Sequence, residues 1–175
     1  MTERELTSTC VTLILAGHGT TTNLIGNGLL ALMRHPDQRR RLSENPDLMP
    51  MAIEELLRYD TPLQRMWRMA TQDLEIGGHR IEKGQIVLVA LGSANRDPER
   101  FPDPSQLDIG RVDNEHVALG AGIHLCIGGP LARLQGSIAL RALLTRMPNM
   151  EATTDEFEWT QNLFHRGVAS LPVAW

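Results

Sequence analysis

The stretch that decides the fold is Leu119-Gly120-Ala121-Gly122-Ile123-His124-Leu125-Cys126-Ile127-Gly128-Gly129-Pro130. Glycines on both sides of one cysteine allow the backbone to turn tightly and to approach a flat ligand closely. Pro130 opens a helical pattern, and the N-terminal end of a helix favours the thiolate form of a nearby cysteine. The segment therefore predicts a thiolate ligand for a soft metal ion such as iron.

Two other interpretations of this loop stay open. One is a buried cysteine in a glycine-rich turn. The other is a zinc site, for which His116, His124 and Cys126 offer three ligands, although no CxxC or HxxxH spacing supports it. His124 could also project from the loop towards an anionic group.

The composition is that of a globular chain, with 175 residues of which 42% are hydrophobic and 22% are charged. The sequence has no run of about 18 consecutive apolar residues, which argues against a membrane span. The N-terminus lacks a signal-peptide pattern. The net charge of −4 argues against a nucleic-acid partner. Two cysteines, Cys10 and Cys126, cannot form a disulfide scaffold, so we expect a cytoplasmic location.

A second informative stretch lies within residues 5–33, which predict one long helix. Its middle, Ala16-Gly17-His18-Gly19-Thr20-Thr21-Thr22, combines glycines with β-branched threonines, and both residue types lower helix propensity. A helix weakened at its centre usually has a packing or functional reason.

The remaining pattern predicts a mainly α fold with small β-sheets. Residues 95–123 show little periodicity, and a structureless connection of that length is usually functional. Predicted elements are helix starts at Pro36 and Pro46, a hairpin at 74–81 turning at Gly77-Gly78, a buried strand at 85–91, a helix from Pro130 to near Pro148, and short strands at 159–164 and 168–173.

Glu55 and Arg58 stand at positions i and i+3 of a predicted helix, on one face. Such a pair is most often a surface ion pair worth about 0.2–0.5 kcal/mol. The functional alternative is a buried buttress that orders the long loop leading to the cysteine.

Taken together, these segments resemble the cytochrome P450 family of haem-thiolate monooxygenases. The order and separation of AGHGTT (16–21), EELLR (54–58) and GAGIHLCIG (120–128) match that family, as do RMATQDLEIGGHRIEKG (68–84) and ANRDPERFPDP (94–104). The resemblance covers nearly the whole chain and implies a partial P450 fold: long distal helix, glutamate–arginine helix, β-hairpins, cysteine loop and proximal helix.

The resemblance implies haem b as the cofactor, with Cys126 as the axial ligand of its iron. His124 and Arg68 would pair with the haem propionates. The further cofactor-binding residues that it implies are Ala16, Gly17, Leu119, Gly120 and Gly128.

On the opposite face of the haem, the small residues of the distal helix would leave room for dioxygen. Thr20 would hydrogen-bond that oxygen and relay protons; the alternative is a hydroxyl bonded to a carbonyl one turn back. The family commonly has an acidic residue where this chain has Gly19, so the implied catalytic set is Thr20, Gly19 and His18, with His18 or water as a substitute.

Two further positions depart from the family pattern. The usual phenylalanine at the head of the cysteine loop is Leu119. The arginine or histidine that would complete the Glu55–Arg58 network falls at Gln106, which predicts a smaller charge network.

Family members are more than twice as long, so residues 1–175 are expected to be the C-terminal portion of a P450 domain, with the N-terminal half absent. Apolar surface on the first helix should then be exposed or covered by a partner, such as that missing half. A non-catalytic haem-binding or interaction fragment is the alternative function.

The implied reaction needs a small organic substrate and a ferredoxin- or flavodoxin-type electron donor with its reductase. Residues 61–69 and 162–164 resemble substrate-contacting loops. A basic patch could receive the acidic donor, although a solvated helix face is an equal interpretation for residues 39–41. Its candidate residues are Arg39, Arg40, Arg41, Arg133 and Arg141.

Overall fold

The computed structural model describes all residues from 1 to 175 as a helical chain with three two-stranded antiparallel sheets. The expected fold class, mainly α with small β-sheets, is confirmed. In chain order the elements are α1 (Glu3–Arg34), α2 (Pro36–Glu44), a 3-10 turn (Pro46–Leu48), α3 (Met49–Tyr59), β1 (Met66–Met69), β2 (Leu74–Ile76), β3 (His79–Ile81), β4 (Ile86–Val89), α4 (Leu91–Ala94), a 3-10 turn (Gly122–His124), α5 (Gly129–Arg146), β5 (Glu151–Ala152) and β6 (Val173–Ala174).

Helix α1 is continuous through its glycines and threonines. It begins with a capping box, in which the Thr2 hydroxyl accepts from the Glu5 backbone N–H and the Glu5 carboxylate accepts from the Thr2 N–H. It ends before Pro36, which starts α2 as the sequence predicts. The buried residues of α1 all lie in its second half, from Leu24 onward.

The core lies where α1, α3 and α5 pack together. Glycines allow these helices to approach: a Cβ at Gly28 would lie 3.0 Å from Leu56 Cδ1, and one at Gly136 would lie 3.1 Å from Ile53 Cδ1. Leu140 is fully buried in the same layer. The first half of α1 and the start of α5 extend beyond this core and are largely exposed.

The predicted hairpin is confirmed as β2 and β3, with positive φ at both Gly77 and Gly78. The prediction of a buried strand at 85–91 is wrong in its burial and its extent. β4 pairs with β1, but Ile86 and Leu88 are exposed because no other layer of this chain covers the two-stranded sheet. Leu91 begins α4 instead of continuing the strand.

The tail carries less regular structure than the sequence predicts. Trp159 and Val168 meet only in an isolated bridge, and the paired strands are β5 and β6. The prediction of a structureless connection over residues 95–123 holds as far as residue 121, and a 3-10 turn begins at Gly122. No helix is both long enough and apolar enough to span a membrane.

Candidate functional site

The cysteine loop is a closed backbone turn at the start of α5. The Cys126 N–H donates to the Leu119 carbonyl oxygen at 2.8 Å, and the Gly129 N–H donates to the Cys126 carbonyl at 3.1 Å. Gly120 has a φ of 75°, and a Cβ there would lie 2.9 Å from the His124 carbonyl oxygen. The position therefore requires glycine.

The thiol of Cys126 is exposed at the surface of this loop. A Cβ at Gly128 would make ordinary contact with Sγ, at 3.8 Å, so the space around the sulfur does not depend on that glycine. Leu119, at the head of the loop, is half-buried and packs against the core. Within residues 1–175, Cys126 is therefore not a buried cysteine.

Two features of this loop bear on the metal alternatives. No group of three or more His, Cys, Asp and Glu side chains is arranged to hold a metal ion, so the zinc alternative has no support. His116 is instead a hydrogen-bond partner of Glu54. A single exposed thiol framed by glycines fits the one-thiolate ligation of haem iron, with an open face for a flat ligand.

The distal candidates lie on the exposed or half-buried middle of α1. The Thr20 hydroxyl donates to the Ala16 carbonyl at 2.8 Å, which is the bond to a carbonyl one turn back that the sequence left as an alternative. A Cβ at Gly17 or at Gly19 would meet nothing within 4 Å. The helix face around these residues is open.

His18 does not share a face with Thr20, because residues at positions i and i+2 of an α-helix are about 200° apart around the helix axis. His18 instead lines a groove of about 400 Å³ between α1 and α5, to which Gln135 and Ile138 also contribute. Neither Thr20 nor Cys126 borders this groove. The expectation that His18 substitutes for an acidic residue beside Thr20 therefore does not fit the helix.

Glu55 and Arg58 form a bidentate ion pair inside the protein rather than on its surface. Arg58 Nε and Nη2 lie 2.7 and 2.8 Å from the two Glu55 carboxylate oxygens, and both side chains are 0% exposed. Arg58 also donates to the carbonyl oxygens of Asn95, Pro104 and Gln106. The pair therefore fastens the long loop to α3.

The network is larger than the sequence predicts. Gln106 contributes its backbone carbonyl, whereas Arg111 supplies a second guanidinium, with Nε 3.2 Å from a Glu55 carboxylate oxygen. Asn114 and the Asp108 N–H also donate to Glu55. Sequence reasoning missed Arg111 because no helical spacing relates it to Glu55.

A second cluster, also missed from the sequence, joins α3 to α5. Arg133 Nε and Nη2 lie 2.6 and 2.9 Å from the two carboxylate oxygens of Glu54, and His116 Nε2 lies 3.2 Å from one of them. Burial alone would raise the pKa of Glu54, but the hydrogen bonds and charges of His116 and Arg133 lower it to about 2. The first glutamate in EELLR, Glu54, was the sequence feature that could have indicated this cluster.

The two residues expected at the haem propionates are both exposed. His124 ends the 3-10 turn before the cysteine, and Arg68 lies in β1, where its guanidinium donates to the Trp67 carbonyl. Neither side chain is tied to an acidic partner in this chain, so both remain available to an anionic group.

The expected basic patch is mostly used inside the chain. Arg39 donates to the carbonyls of Pro148 and Met150, Arg41 pairs with Asp108, and Arg141 donates to the Pro46 carbonyl. Of the five arginines in that patch, Arg40 alone makes no hydrogen bond or ion pair.

Comparison with known proteins places this geometry in a family. The family model for Cytochrome P450 matches residues 1–158. The chain is 45% identical to the polyketide biosynthesis cytochrome P450 PksS of Bacillus subtilis over 99% of its length, and 44% identical to the 6-deoxyerythronolide B hydroxylase of Saccharopolyspora erythraea over 97%. These matches cover 44% and 42% of the two relatives, so the chain spans less than half their length.

Solved structures agree with the sequence comparison. P450BioI in complex with an acyl carrier protein ligated to hexadec-9Z-enoic acid superposes with a TM-score of 0.97 at 45% identity, over the whole of this chain and 46% of that one. A structure of PksS gives a TM-score of 0.96. The chain belongs to the cytochrome P450 family, whose cofactor is haem b.

Proposed function

We propose that the chain carries the haem-thiolate part of a monooxygenase that inserts one oxygen atom of O2 into an organic substrate. The observation that carries this proposal is the closed glycine loop that presents the Cys126 thiol at the start of α5. In domain terms, residues 1–175 would be the C-terminal portion of a P450 domain. Less than half of the relatives' length is matched, so the activity of a whole enzyme is part of the proposal.

When bound, a thiolate-ligated haem would supply the activation of dioxygen with electrons from a separate protein. Cys126 would hold the iron, and the loop glycines would let the backbone approach the ring. His124 and Arg68 would pair with the propionates, since each is exposed and lacks an acidic partner. The buried Glu55–Arg58 pair would hold residues 95–106 in place beneath the site.

The open centre of α1 would border the oxygen-binding face. Gly17, three residues before Thr20, leaves that face without a side chain at its position, and the Thr20 hydroxyl would exchange its bond to the Ala16 carbonyl for one to dioxygen held at this face. No acidic residue stands beside Thr20, so water would have to carry protons to it. We therefore expect much of the electron flow to end as hydrogen peroxide.

The partners we propose are a small organic substrate and a ferredoxin- or flavodoxin-type donor with its reductase, in the cytoplasm. One neighbour, P450BioI, was solved with a fatty acid carried on an acyl carrier protein. Substrate assays should therefore include an acyl group bound to a carrier protein alongside free organic substrates.

The alternative function is a haem-binding or interaction fragment without catalysis. Gly19 favours it, because no acidic side chain stands beside Thr20 to deliver protons.

One spectrum tests the ligation. The chain is mixed with haem, reduced and exposed to carbon monoxide; we expect the strongly red-shifted band of thiolate ligation, and its loss in Cys126→Ala. Cys10→Ala is the matched control, because Cys10 is the other exposed thiol. A spectrum without that band would refute haem-thiolate ligation by this chain.

A second measurement separates the two functions. NADPH consumption is followed with surrogate redox proteins, and product and hydrogen peroxide are both measured. Product formation supports the monooxygenase. Thiolate ligation with peroxide as the only product supports the alternative.

A further inference from the structure

Glu54, His116 and Arg133, here called the proximal cluster, lie beside the cysteine loop and have no part in the function proposed above. Glu54 accepts two hydrogen bonds from Arg133 and one from His116. His116 is nearly buried, and its Nδ1 accepts from the Ala118 N–H, so Nε2 carries the proton that Glu54 receives. The three side chains thus form one connected unit between α3 and α5.

The geometry of Arg133 leaves one end of its guanidinium free. Nε and Nη2 are taken by Glu54, whereas Nη1 has no hydrogen-bond partner in the chain. Nη1 lies 3.2 Å from the place of a Cβ on Gly129, and Cys126 Sγ lies 3.8 Å from that of the preceding residue, Gly128. Arg133 Nη1 and Cys126 Sγ therefore each lie within 4 Å of the Cβ position of one of two consecutive glycines.

We propose that Glu54 and His116 position Arg133 so that its positive charge faces the sulfur of Cys126. Glu54 and His116 are then positioning residues, and Arg133 acts on the sulfur through its charge. This inference rests on the proposed function for its purpose, because in that function the Cys126 sulfur is the ligand of the haem iron.

Electrostatics supports the assignment. The pKa of Arg133 is raised, chiefly by the hydrogen bond to Glu54 and also by the charge of Cys126. A carboxylate that accepts two hydrogen bonds from a guanidinium fixes the orientation of that group. It does not fix the orientation of a lysine ammonium, which is a point charge. A side chain that is 42% exposed would otherwise turn to solvent.

The test measures the local potential at Cys126 without haem, in a Cys10→Ser background that leaves one thiol. Iodoacetate and iodoacetamide alkylate the same thiolate, so the ratio of their rates cancels the thiolate fraction. A nearby positive charge accelerates only the anionic reagent. We expect Arg133→Gln to lower the ratio about two- to fivefold, the range of a half-exposed charge pair.

Arg141→Gln is the matched control, because it removes the same charge from the same helix, farther from the loop. The ratio should not change in this variant. An equal fall in both arginine variants would overturn the proposal, since net charge alone would then explain the effect.

Glu54→Gln separates positioning from simple charge. Loss of a negative charge should by itself raise the ratio, whereas release of Arg133 from its carboxylate should lower it. We expect the ratio to fall, and a rise would overturn the positioning role. Arg133→Lys, which keeps the charge and loses the fork, should give a ratio between those of the parent chain and Arg133→Gln.

The outcome is independent of the proposed function because no step requires haem. Circular dichroism identifies a variant that does not fold, and Arg133→Lys then carries the test. An unchanged ratio in a folded Arg133 variant would refute the proposal even if the carbon monoxide spectrum shows thiolate ligation.

Discussion

Glycines within α1 differ in what a side chain would meet. Gly19 has open space around it, whereas a Cβ at Gly28 would lie 3.0 Å from Leu56 Cδ1. Both lie in the same helix, where glycine costs about 0.5–1 kcal/mol relative to alanine. The penalty at Gly28 is offset by close helix packing, while at Gly19 no contact within the chain requires it.

We therefore predict opposite effects for two alanine substitutions. Gly19→Ala should stabilise the centre of α1 and slow amide hydrogen exchange there about two- to fivefold. Gly28→Ala should lower the free energy of unfolding by about 1–3 kcal/mol through overpacking. Exchange rates and urea unfolding check the pair, and equal effects at both positions would contradict the packing argument.

Glu54 gives the chain a pH dependence whose sign is fixed by its lowered pKa. Its pKa falls from 4.5 to about 2 in the folded chain, so its contribution to stability is present above pH 4.5 and is lost as the pH falls towards 2. We expect a loss of about 1–2 kcal/mol over this range, after allowing for solvent screening. Urea unfolding at pH 6, 4 and 2.5 measures it.

Glu54→Gln supplies the comparison for that pH dependence. An amide does not titrate, so its free energy of unfolding should fall less between pH 6 and pH 2.5 than that of the parent chain. Parallel pH profiles for the two proteins would rule out Glu54 as the source.

At the scale of elements, α3 holds the chain together through charges as well as through its apolar face. One side of the helix packs Ile53 and Leu56 into the core. The adjoining Glu55–Arg58 pair binds the loop after α4 through three of its carbonyl oxygens. The loop also buries Phe101, Leu107 and Ile109 in the protein interior, so these hydrogen bonds add to an apolar anchor.

We predict that Glu55→Gln lowers the free energy of unfolding by about 3–5 kcal/mol, because Arg58 would keep a buried charge without its counter-ion. Arg80→Gln, which breaks an exposed ion pair with Asp73, is the control and should cost less than about 1 kcal/mol. Urea denaturation gives both values. A cost below about 1 kcal/mol at Glu55 would contradict this prediction, because Arg111 is itself a cation and cannot replace the lost carboxylate.

The sequence predicted the elements well where the signal is local. The proline that starts α2 and the Gly77-Gly78 turn each act within a few residues. The exposure of β4 was not predictable, because burial depends on what packs over a strand and not on its own apolar run.

The same distinction holds for the candidate site. The glycine–cysteine loop could be identified because its φ angles and its hydrogen bond from Cys126 to Leu119 are set within eight residues. The burial of Glu55 and Arg58 and the partner of Glu54 depend on contacts between distant segments. No spacing within the helix indicated that Arg111 or Arg133 would reach them.

At the scale of the whole molecule, large apolar side chains of α1 and α5 are exposed outside the core. Ile14 and Leu15 of α1 are 71% and 72% exposed, and Ile138 of α5 is 60% exposed. The expectation of exposed apolar surface on the first helix is confirmed. Exposed apolar side chains of this kind promote association in water.

We predict that the chain self-associates as its concentration rises, and that the double variant Ile14→Gln, Leu15→Gln weakens the association about tenfold or more. Removing two exposed apolar side chains takes away about 1.5–3 kcal/mol of burial for each one the contact covers. It should cost little folding stability, because neither side chain packs in the core. Sedimentation velocity measures the association, and urea unfolding measures the folding stability.

Val112→Gln is the control, because Val112 is an exposed apolar residue in a loop outside both helices. This substitution should leave association unchanged. If Val112→Gln weakened the association as much as the double variant, the contact would not lie on α1.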